Sequence, residues 1–129
     1  MKRTKDKRKL LIKQADAAMS AYVIRRDGGK CVQCGGSEHM TCGHLLSRRL
    51  MSVRYDLENC HAQDWACNVR HSHWPEYYTA WFLQKFGKAK YIKLEQRAHR
   101  IKKWSVYELE ELLSDLQRKT EELPALIET

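Results

Sequence analysis

Residues that can bind a soft metal ion are concentrated in one third of the chain. All five cysteines and five of the six histidines lie between Cys31 and His73. Thiolate and imidazole are the ligands with which proteins most often bind zinc. In a reducing compartment, clustered cysteines bind metal more often than they form disulfides. The distribution therefore predicts a small site that is organised by a metal ion.

Cys31 and Cys34 form a CxxC pair, which supplies half of a tetrahedral zinc site. A local completion of the site would add His39 and Cys42. This set resembles the CCHC knuckle of nucleic-acid-binding proteins. Its last spacer is two residues, where the knuckle has four, so the chain would have difficulty in wrapping the ion.

A distant completion would take Asp64 and Cys67, three residues apart, as the second pair. Aspartate is a less common but legitimate zinc ligand. This set would join the start of the segment to its end, which would explain how so short a unit holds its shape. The sequence leaves both completions open, and we favour the distant one.

The pattern of apolar residues places these ligands on a short mixed unit. Residues 40–46 predict a strand that ends near His44, and residues 58–63 predict a second strand. A helix is expected to begin at Trp65 and to continue to about Ser72. Strand, loop, strand and helix are the outline of a ββα unit within residues 31–74.

Helices are expected on both sides of this unit. Apolar residues recur at three- and four-residue steps between 10 and 27, which predicts an amphipathic helix that ends at a Gly-Gly turn. Residues 75–129 predict a helical C-terminal part, with a capping box at Ser105 and Glu108. Residues 1–9 are almost all charged and predict a flexible basic arm. The fold class is therefore α+β in a single domain of 129 residues.

A longer series of positions forms linked motifs: Tyr22, Ile24-Arg25, Asp27, Cys31-x-x-Cys34-Gly35, Gly43-His44, Ser47-Arg48, Arg54-Tyr55-Asp56, Asn59, His61, Gln63 and Cys67-Asn68. This series resembles the phage NinG/Rap recombination nucleases, a family of the wider HNH or ββα-metal group. The similarity extends from about Leu10 into the C-terminal helices. It implies a zinc-bound, HNH-like ββα-metal core that cleaves branched DNA, such as Holliday junctions and D-loops, with a divalent metal.

The chain departs from the family pattern at the second cysteine pair. Asp64 stands where the family has the first cysteine of that pair, and Cys67 is the second. The structural zinc site is therefore Cys3Asp, a set in which Cys60 or His61 replaces Asp64, or a weakened site.

Phosphodiester hydrolysis needs a base that activates water and a cation that stabilises charge at the phosphate. We predict that His44 is the base and that Asn59 orients its imidazole or braces the loop. Asn68 is expected to bind the catalytic Mg²⁺ or Mn²⁺, with His71 or His73 as a second ligand. His71 shares a helical face with Asn68, whereas His73 reaches the ion only if the helix has ended. His73 falls where the family tends to have Ser-Gly-Asn.

Basic residues are concentrated in the front and middle of the chain. Residues 1–30 carry ten Lys and Arg against three Asp, and the formal net charge of the chain is +8. Such a distribution favours a polyanionic partner, most simply DNA. Phosphate contacts are predicted from the arm and from the loop between the strands, at Lys2, Arg3, Lys5, Lys7, Arg8, Lys9, Arg48, Arg49 and Arg54.

Partners and location follow from the same reasoning. Two-fold cleavage of a four-way junction favours a homodimer, for which the acidic, leucine-bearing C-terminal helix is the candidate surface. No apolar run could span a membrane and no signal peptide is evident, so the cytoplasm of the bacterial host is expected and no membrane partner. The competing hypothesis is a non-catalytic zinc-knuckle adaptor that binds nucleic acid. It requires His39 and Cys42 as ligands, and the nuclease leaves both free.

Overall fold

Helices surround a two-stranded sheet in an α+β arrangement. The computed structural model describes residues 2–126; Met1 and residues 127–129, which belong to the predicted arm and C-terminal part, lie outside it. The described part contains, in chain order, α1 (Lys2–Arg26), β1 (Met40–His44), β2 (Cys60–Asp64), α2 (Trp65–His73), α3 (Glu76–Phe86), α4 (Lys88–Ala98) and α5 (Val106–Glu122).

The two strands pair antiparallel, with Met40 opposite Asp64 and His44 opposite Cys60. Helix α2 begins directly after β2, so its first turn stays at the edge of the sheet. The predicted order of strand, loop, strand and helix is therefore present, with each boundary within two residues of the expected one. This arrangement brings the start of β1, the end of β2 and the first turns of α2 close together.

Helix α1 buries one stripe of side chains against α5. Residues at four-residue spacing in α1 share a core with two leucines of α5, and these are Leu11, Ala15, Met19, Val23, Leu109 and Leu116. The two helices run parallel, because Arg8 Nε donates to Trp104 O near their starts and Arg25 Nη2 donates to Leu123 O near their ends. The predicted helix is present and ends at Arg26.

The flexible arm predicted over residues 1–9 is wrong for the described residues 2–9, which form the first turns of α1. Lys and Arg are good helix formers, and extending an existing helix costs far less than starting one. Contacts with α5 stabilise the extension, since Lys7 Nζ lies 3.4 Å from Glu110 Oε1. Composition alone predicted disorder because it could not include these tertiary contacts.

The leucine face of α5 packs inside the chain. Leu109 and Leu116 are buried against α1, and Leu112 and Leu113 pack partly buried on the same core. The predicted capping box opens this helix: Ser105 Oγ accepts from Glu108 N, and Glu108 Oε1 accepts from Ser105 N. A homodimer stays a prediction, but α1 already covers the apolar face that suggested it.

A second core supports the loop between the strands. Buried residues from this loop, α3 and α4 meet there: Leu45, Val53, Tyr78, Phe82, Leu94 and Ala98. His61 joins this side of the molecule, since its Nδ1 lies 2.7 Å from Tyr78 Oη and its ring stacks on Phe86. His61 is therefore a buried packing residue, not a zinc ligand. No helix within residues 2–126 is long and apolar enough to cross a membrane.

Candidate functional site

Four side chains form a candidate metal centre at the edge of the sheet. The ligand atoms of Cys31, Cys34, Asp64 and Cys67 all lie within 4.8 Å of one another. This is the donor set of the distant completion, and it can hold a structural metal ion such as zinc. The local completion is not assembled, because His39 is exposed and Cys42 groups with different side chains.

A turn and a helix start position these ligands. Cys31 N donates to Gly36 O and Gly35 N donates to Cys31 O, which closes the chain around the CxxC pair. Gly35 has φ 78°, in the left-handed region that favours glycine. A Cβ at Gly36 would lie 3.1 Å from Asp64 Oδ2, so only glycine fits comfortably beside that carboxylate.

Asp64 has two roles in this centre. Its Oδ1 caps helix α2 by accepting from Cys67 N at 2.7 Å, and its Oδ2 accepts from Cys34 Sγ at 2.7 Å. The hydrogen bond from Cys34 lowers the pKa of the Asp64 carboxyl and raises the pKa of the Cys34 thiol. Without a metal, Asp64 is therefore ionised and Cys34 holds its proton. Metal binding would displace that proton, so affinity is expected to rise with pH.

A groove of about 500 Å³ lies on the other side of β1. Its walls come from α1, β1, the loop between the strands and α2. The lining side chains include a histidine, two arginines, a carboxylate and an amide: Asp16, Met19, Ser20, Met40, Thr41, Cys42, His44, Arg48, Arg54 and Asn68. The groove therefore brings together His44, Arg48, Arg54 and Asn68, which the sequence analysis had selected from three separate stretches.

His44 is held as a neutral imidazole with a defined tautomer. Its Nε2 lies 2.9 Å from Arg54 O, and since a carbonyl can only accept, Nε2 carries the proton. Burial lowers the pKa of His44, and the nearby charges of Arg48 and Arg54 act in the same direction. The other ring nitrogen, Nδ1, makes no hydrogen bond within residues 2–126. This nitrogen keeps its lone pair and can accept a proton at neutral pH.

Asn59 braces the loop between the strands, and the hydrogen bonds of its side chain within residues 2–126 do not include one to His44. Its Oδ1 accepts from Leu46 N at 2.8 Å, and its Nδ2 donates to Leu46 O and Val53 O at 3.0 Å. The side chain is fully buried. Two roles were predicted for Asn59, to orient the His44 imidazole or to brace the loop, and its contacts serve the second. The brace also fixes Arg54 O, the carbonyl that holds His44, because Arg54 follows Val53 directly.

The predicted ligands of the catalytic metal are only partly brought together. Asn68 lines the groove, where its Nδ2 donates to Thr41 Oγ1 at 3.0 Å. His71 lies outside the groove lining: its Nε2 lies 3.0 Å from Leu45 O and its ring packs against Tyr78. His73 is exposed at the end of α2. A role for either histidine as a metal ligand stays a prediction.

Asp16 is the groove residue that sequence reasoning missed. Its carboxylate binds Arg54 Nε at 2.8 Å and Arg48 Nη2 at 3.0 Å. The only signal in the sequence was an aspartate within a basic helix, next to Ala15, which is buried. These ion pairs and the exposure of each side chain bear on the phosphate contacts that were predicted for the arginines of this loop. Arg54 is largely buried and pairs with Asp16, whereas the Arg48 side chain is 58% exposed and Arg49 is exposed.

Asp16→Asn should lower the free energy of unfolding by about 2–3 kcal/mol at neutral pH, because it leaves the largely buried Arg54 without its partner. Burial opposes ionisation of Asp16, but hydrogen bonds from Arg54 keep its pKa below the usual value. The carboxylate therefore contributes stability above its unfolded pKa and loses it as the pH falls. Urea unfolding of both proteins should show a difference that shrinks below about pH 4.

Asp115→Asn is the matched control for this prediction. Asp115 pairs with Arg118 on the exposed face of α5, so its loss should change the urea midpoint little. Equal effects of the two substitutions would show that the Asp16 pair is no more than a surface ion pair.

The arrangement defines a small α+β protein with a preformed candidate metal centre beside a groove that contains a neutral imidazole. Residues 1–125 match the family model described as bacteriophage lambda NinG protein. The chain belongs to this family. No curated protein and no solved structure matches it.

Proposed function

We propose that this chain is a metal-dependent DNA endonuclease of the HNH type that acts on branched recombination intermediates. The observation that carries the proposal is His44, a neutral imidazole that lines the groove. One of its nitrogens is fixed by Arg54 O, and the other has no hydrogen-bond partner in the described part of the chain. Membership of the NinG family supports a role in phage recombination. The HNH-like motifs support cleavage of Holliday junctions and D-loops, and the cytoplasm of the bacterial host is the proposed place of action.

His44 supplies the base for hydrolysis. Its Nδ1 accepts a proton from a water molecule, whose oxygen bonds to the phosphorus of the scissile phosphate. The bond between phosphorus and one deoxyribose oxygen breaks, and the leaving oxygen takes a proton from solvent. Because Nε2 already donates to Arg54 O, the imidazolium that forms keeps its orientation. Asn59 stabilises the loop that carries this carbonyl.

The groove also offers a ligand for a catalytic Mg²⁺ or Mn²⁺, but its side chains would not surround the ion. Mg²⁺ commonly binds one or two protein carboxylates and completes its shell with water and substrate phosphate, and here an amide oxygen would take the place of a carboxylate. Asn68 is the residue that would hold the ion, because its Nδ2 is occupied by Thr41 and its amide oxygen remains available. Asp16 offers less, since two arginines bind its carboxylate. When bound, the ion would stabilise negative charge at the phosphate.

Exposed cations supply a path for the DNA backbone. Arg48 and Arg49 lie on the loop at the groove, and Lys2, Arg3 and Lys5 are exposed at the start of α1. At 1.5 Å per residue, these three lie about 15–20 Å along the helix from Asp16. That distance corresponds to about five base pairs of DNA. The proposed duplex therefore crosses the groove and follows the first half of α1.

A cleavage assay tests the proposal. Linear duplex and four-way DNA are incubated with protein that retains its structural metal, first in chelator and then after addition of Mg²⁺ or Mn²⁺. The proposal requires cleavage of four-way DNA that depends on the added ion. Binding without cleavage under any divalent metal would support the zinc-bound adaptor instead, although its predicted ligands His39 and Cys42 do not meet.

Replacing Lys2, Arg3 and Lys5 together by glutamine should weaken binding to linear and four-way DNA by a similar factor, because phosphate contacts carry no sequence information. The plot of log binding constant against log salt should become less steep by up to about 3 units. Fluorescence anisotropy at several salt concentrations measures both effects.

This substitution is preferable to deletion of residues 1–9, which would also remove the contacts of Lys7 and Arg8 with the α5 region. Lys119→Gln, on the far part of α5, is the control and should leave the slope unchanged. An unchanged slope in the triple variant would show that the start of α1 does not contact DNA.

A further inference from the structure

A second group of soft ligands lies on the face of the sheet that forms the groove wall. The ligand atoms of Cys42, His44 and Cys60 lie within 4.8 Å of one another. The strand register explains this proximity: His44 stands opposite Cys60, and Cys42 precedes His44 by two residues on the same face. None of the three belongs to the Cys31 centre.

The chemistry of this group differs from that of the catalytic ion. Two thiols and an imidazole match the sulfur and nitrogen donors of tetrahedral zinc, and they do not suit Mg²⁺, which prefers oxygen. Zn–S bonds of about 2.3 Å place two sulfurs about 3.8 Å apart, so only small side-chain shifts are needed. Cys42 and His44 line the groove, which gives an ion access and leaves a fourth position for water.

The cost of burying charge does not exclude a metal at this place. Cys60 is fully buried, and a bare thiolate in such surroundings is costly. Zn²⁺ bound to two thiolates is neutral, and the two displaced thiol protons pass to solvent. The cost of burying charge therefore opposes two bare thiolates without a metal, but it does not oppose two thiolates that are bound to Zn²⁺.

We propose that Cys42, His44 and Cys60 bind zinc or a similar thiophilic divalent cation, and that this ion inhibits the protein by taking His44 out of catalysis. The inhibition rests on the proposed function of His44, but the binding site does not. A neutral imidazole has one lone pair. An ion on Nδ1 occupies that pair directly, and an ion on Nε2 forces the proton onto Nδ1. Either geometry removes the base.

Zinc stoichiometry tests the site without any activity measurement. The parent and Cys42→Ser, both with the structural metal in place, are dialysed against excess Zn²⁺ with a phosphine reductant, desalted and analysed for metal. The parent should retain two zinc ions per chain and Cys42→Ser only one. His99→Ala removes an exposed histidine outside both groups and should retain two. The reductant excludes a Cys42–Cys60 disulfide as the cause of any difference.

Cobalt binding provides a second, spectroscopic measurement of the same site. With zinc in the Cys31 centre, added Co²⁺ should produce thiolate-to-cobalt charge-transfer absorption in the parent that is absent from Cys42→Ser. Circular dichroism of Cys42→Ser must match the parent, and Cys42→Ala is the alternative variant if it does not. A parent that retains one zinc, or a folded Cys42 variant that retains two, overturns the site.

Inhibition is measured by zinc titration of DNA cleavage in Mg²⁺, with each rate divided by that of the same protein without added zinc. Loss of a direct ligand should raise the inhibitory zinc concentration by at least ~100-fold in Cys42→Ser. Equal sensitivity of the two proteins overturns the inhibitory role. If the parent cleaves no DNA, the proposed function fails and the inhibition with it, whereas the metal stoichiometry still decides the site.

Discussion

His44→Ala is expected to bind four-way DNA about as tightly as the parent and to cleave it ~10²–10⁴-fold more slowly. The substitution removes the proposed general base but none of the exposed cations that are proposed to contact phosphate. Single-turnover cleavage with Mg²⁺ measures the rate. Fluorescence anisotropy measures DNA binding in the same buffer with chelator in place of Mg²⁺. A slower cleavage rate with unchanged affinity for four-way DNA is the result expected when the general base is missing.

Folding is the main control, because His44 also holds the loop through Arg54 O. Circular dichroism and the thermal midpoint of His44→Ala must stay close to those of the parent. His99→Ala changes an exposed histidine directly after the end of α4 and should cleave normally. Parental cleavage by a well-folded His44→Ala protein would exclude His44 as the base.

The pH dependence of the parent adds an independent check. Burial lowers the pKa of His44 from its usual value of 6.5, and only the neutral form can act as a base. The cleavage rate should therefore rise with pH to a plateau, with its midpoint below 6.5. A midpoint above 6.5 would indicate a different base.

The local parts of the site could be predicted from the sequence. A CxxC pair creates its own turn, and Asp64 with Cys67 occupies the cap and first turn of a helix, so short-range spacing determines how the ligands lie within each pair. His44, the candidate base, ends a predicted strand, and Asn68, the candidate helix ligand, follows a cysteine. Both line the groove.

The features of the site that could not be predicted from the sequence depend on tertiary contacts. Asp16 lies 32 residues before Arg48, and no local pattern indicates that a helix will bring its carboxylate to that loop. Cys42 lies near Cys60 because the strand register places His44 opposite Cys60, and the sequence did not specify that register. The helical spacing of Asn68 and His71 was correct, but the pattern could not show that Leu45 O and Tyr78 hold His71 outside the groove.

Loss of the Cys31 centre should have the largest effect on stability. Cys67→Ser is expected to lose the tightly held zinc and to unfold the region around the sheet, since zinc binding at such a centre contributes directly to folding. A loss of several kcal/mol is large against a typical total stability of about 5–15 kcal/mol. Metal analysis after brief chelation should find one zinc per chain in the parent and none in the variant, and thermal unfolding by circular dichroism should show a much lower midpoint.

Cys42→Ser separates this centre from the second group of ligands. Cys42 is half-buried on β1 and is not among the four ligands, so its substitution should leave the chelator-resistant zinc in place and lower the thermal midpoint only slightly. Cys31→Ser should behave like Cys67→Ser, because both remove a buried thiolate from the same ion. If Cys42→Ser destabilises the protein as much as Cys67→Ser, or if the chelated parent contains no zinc, Cys31, Cys34, Asp64 and Cys67 do not form the structural site.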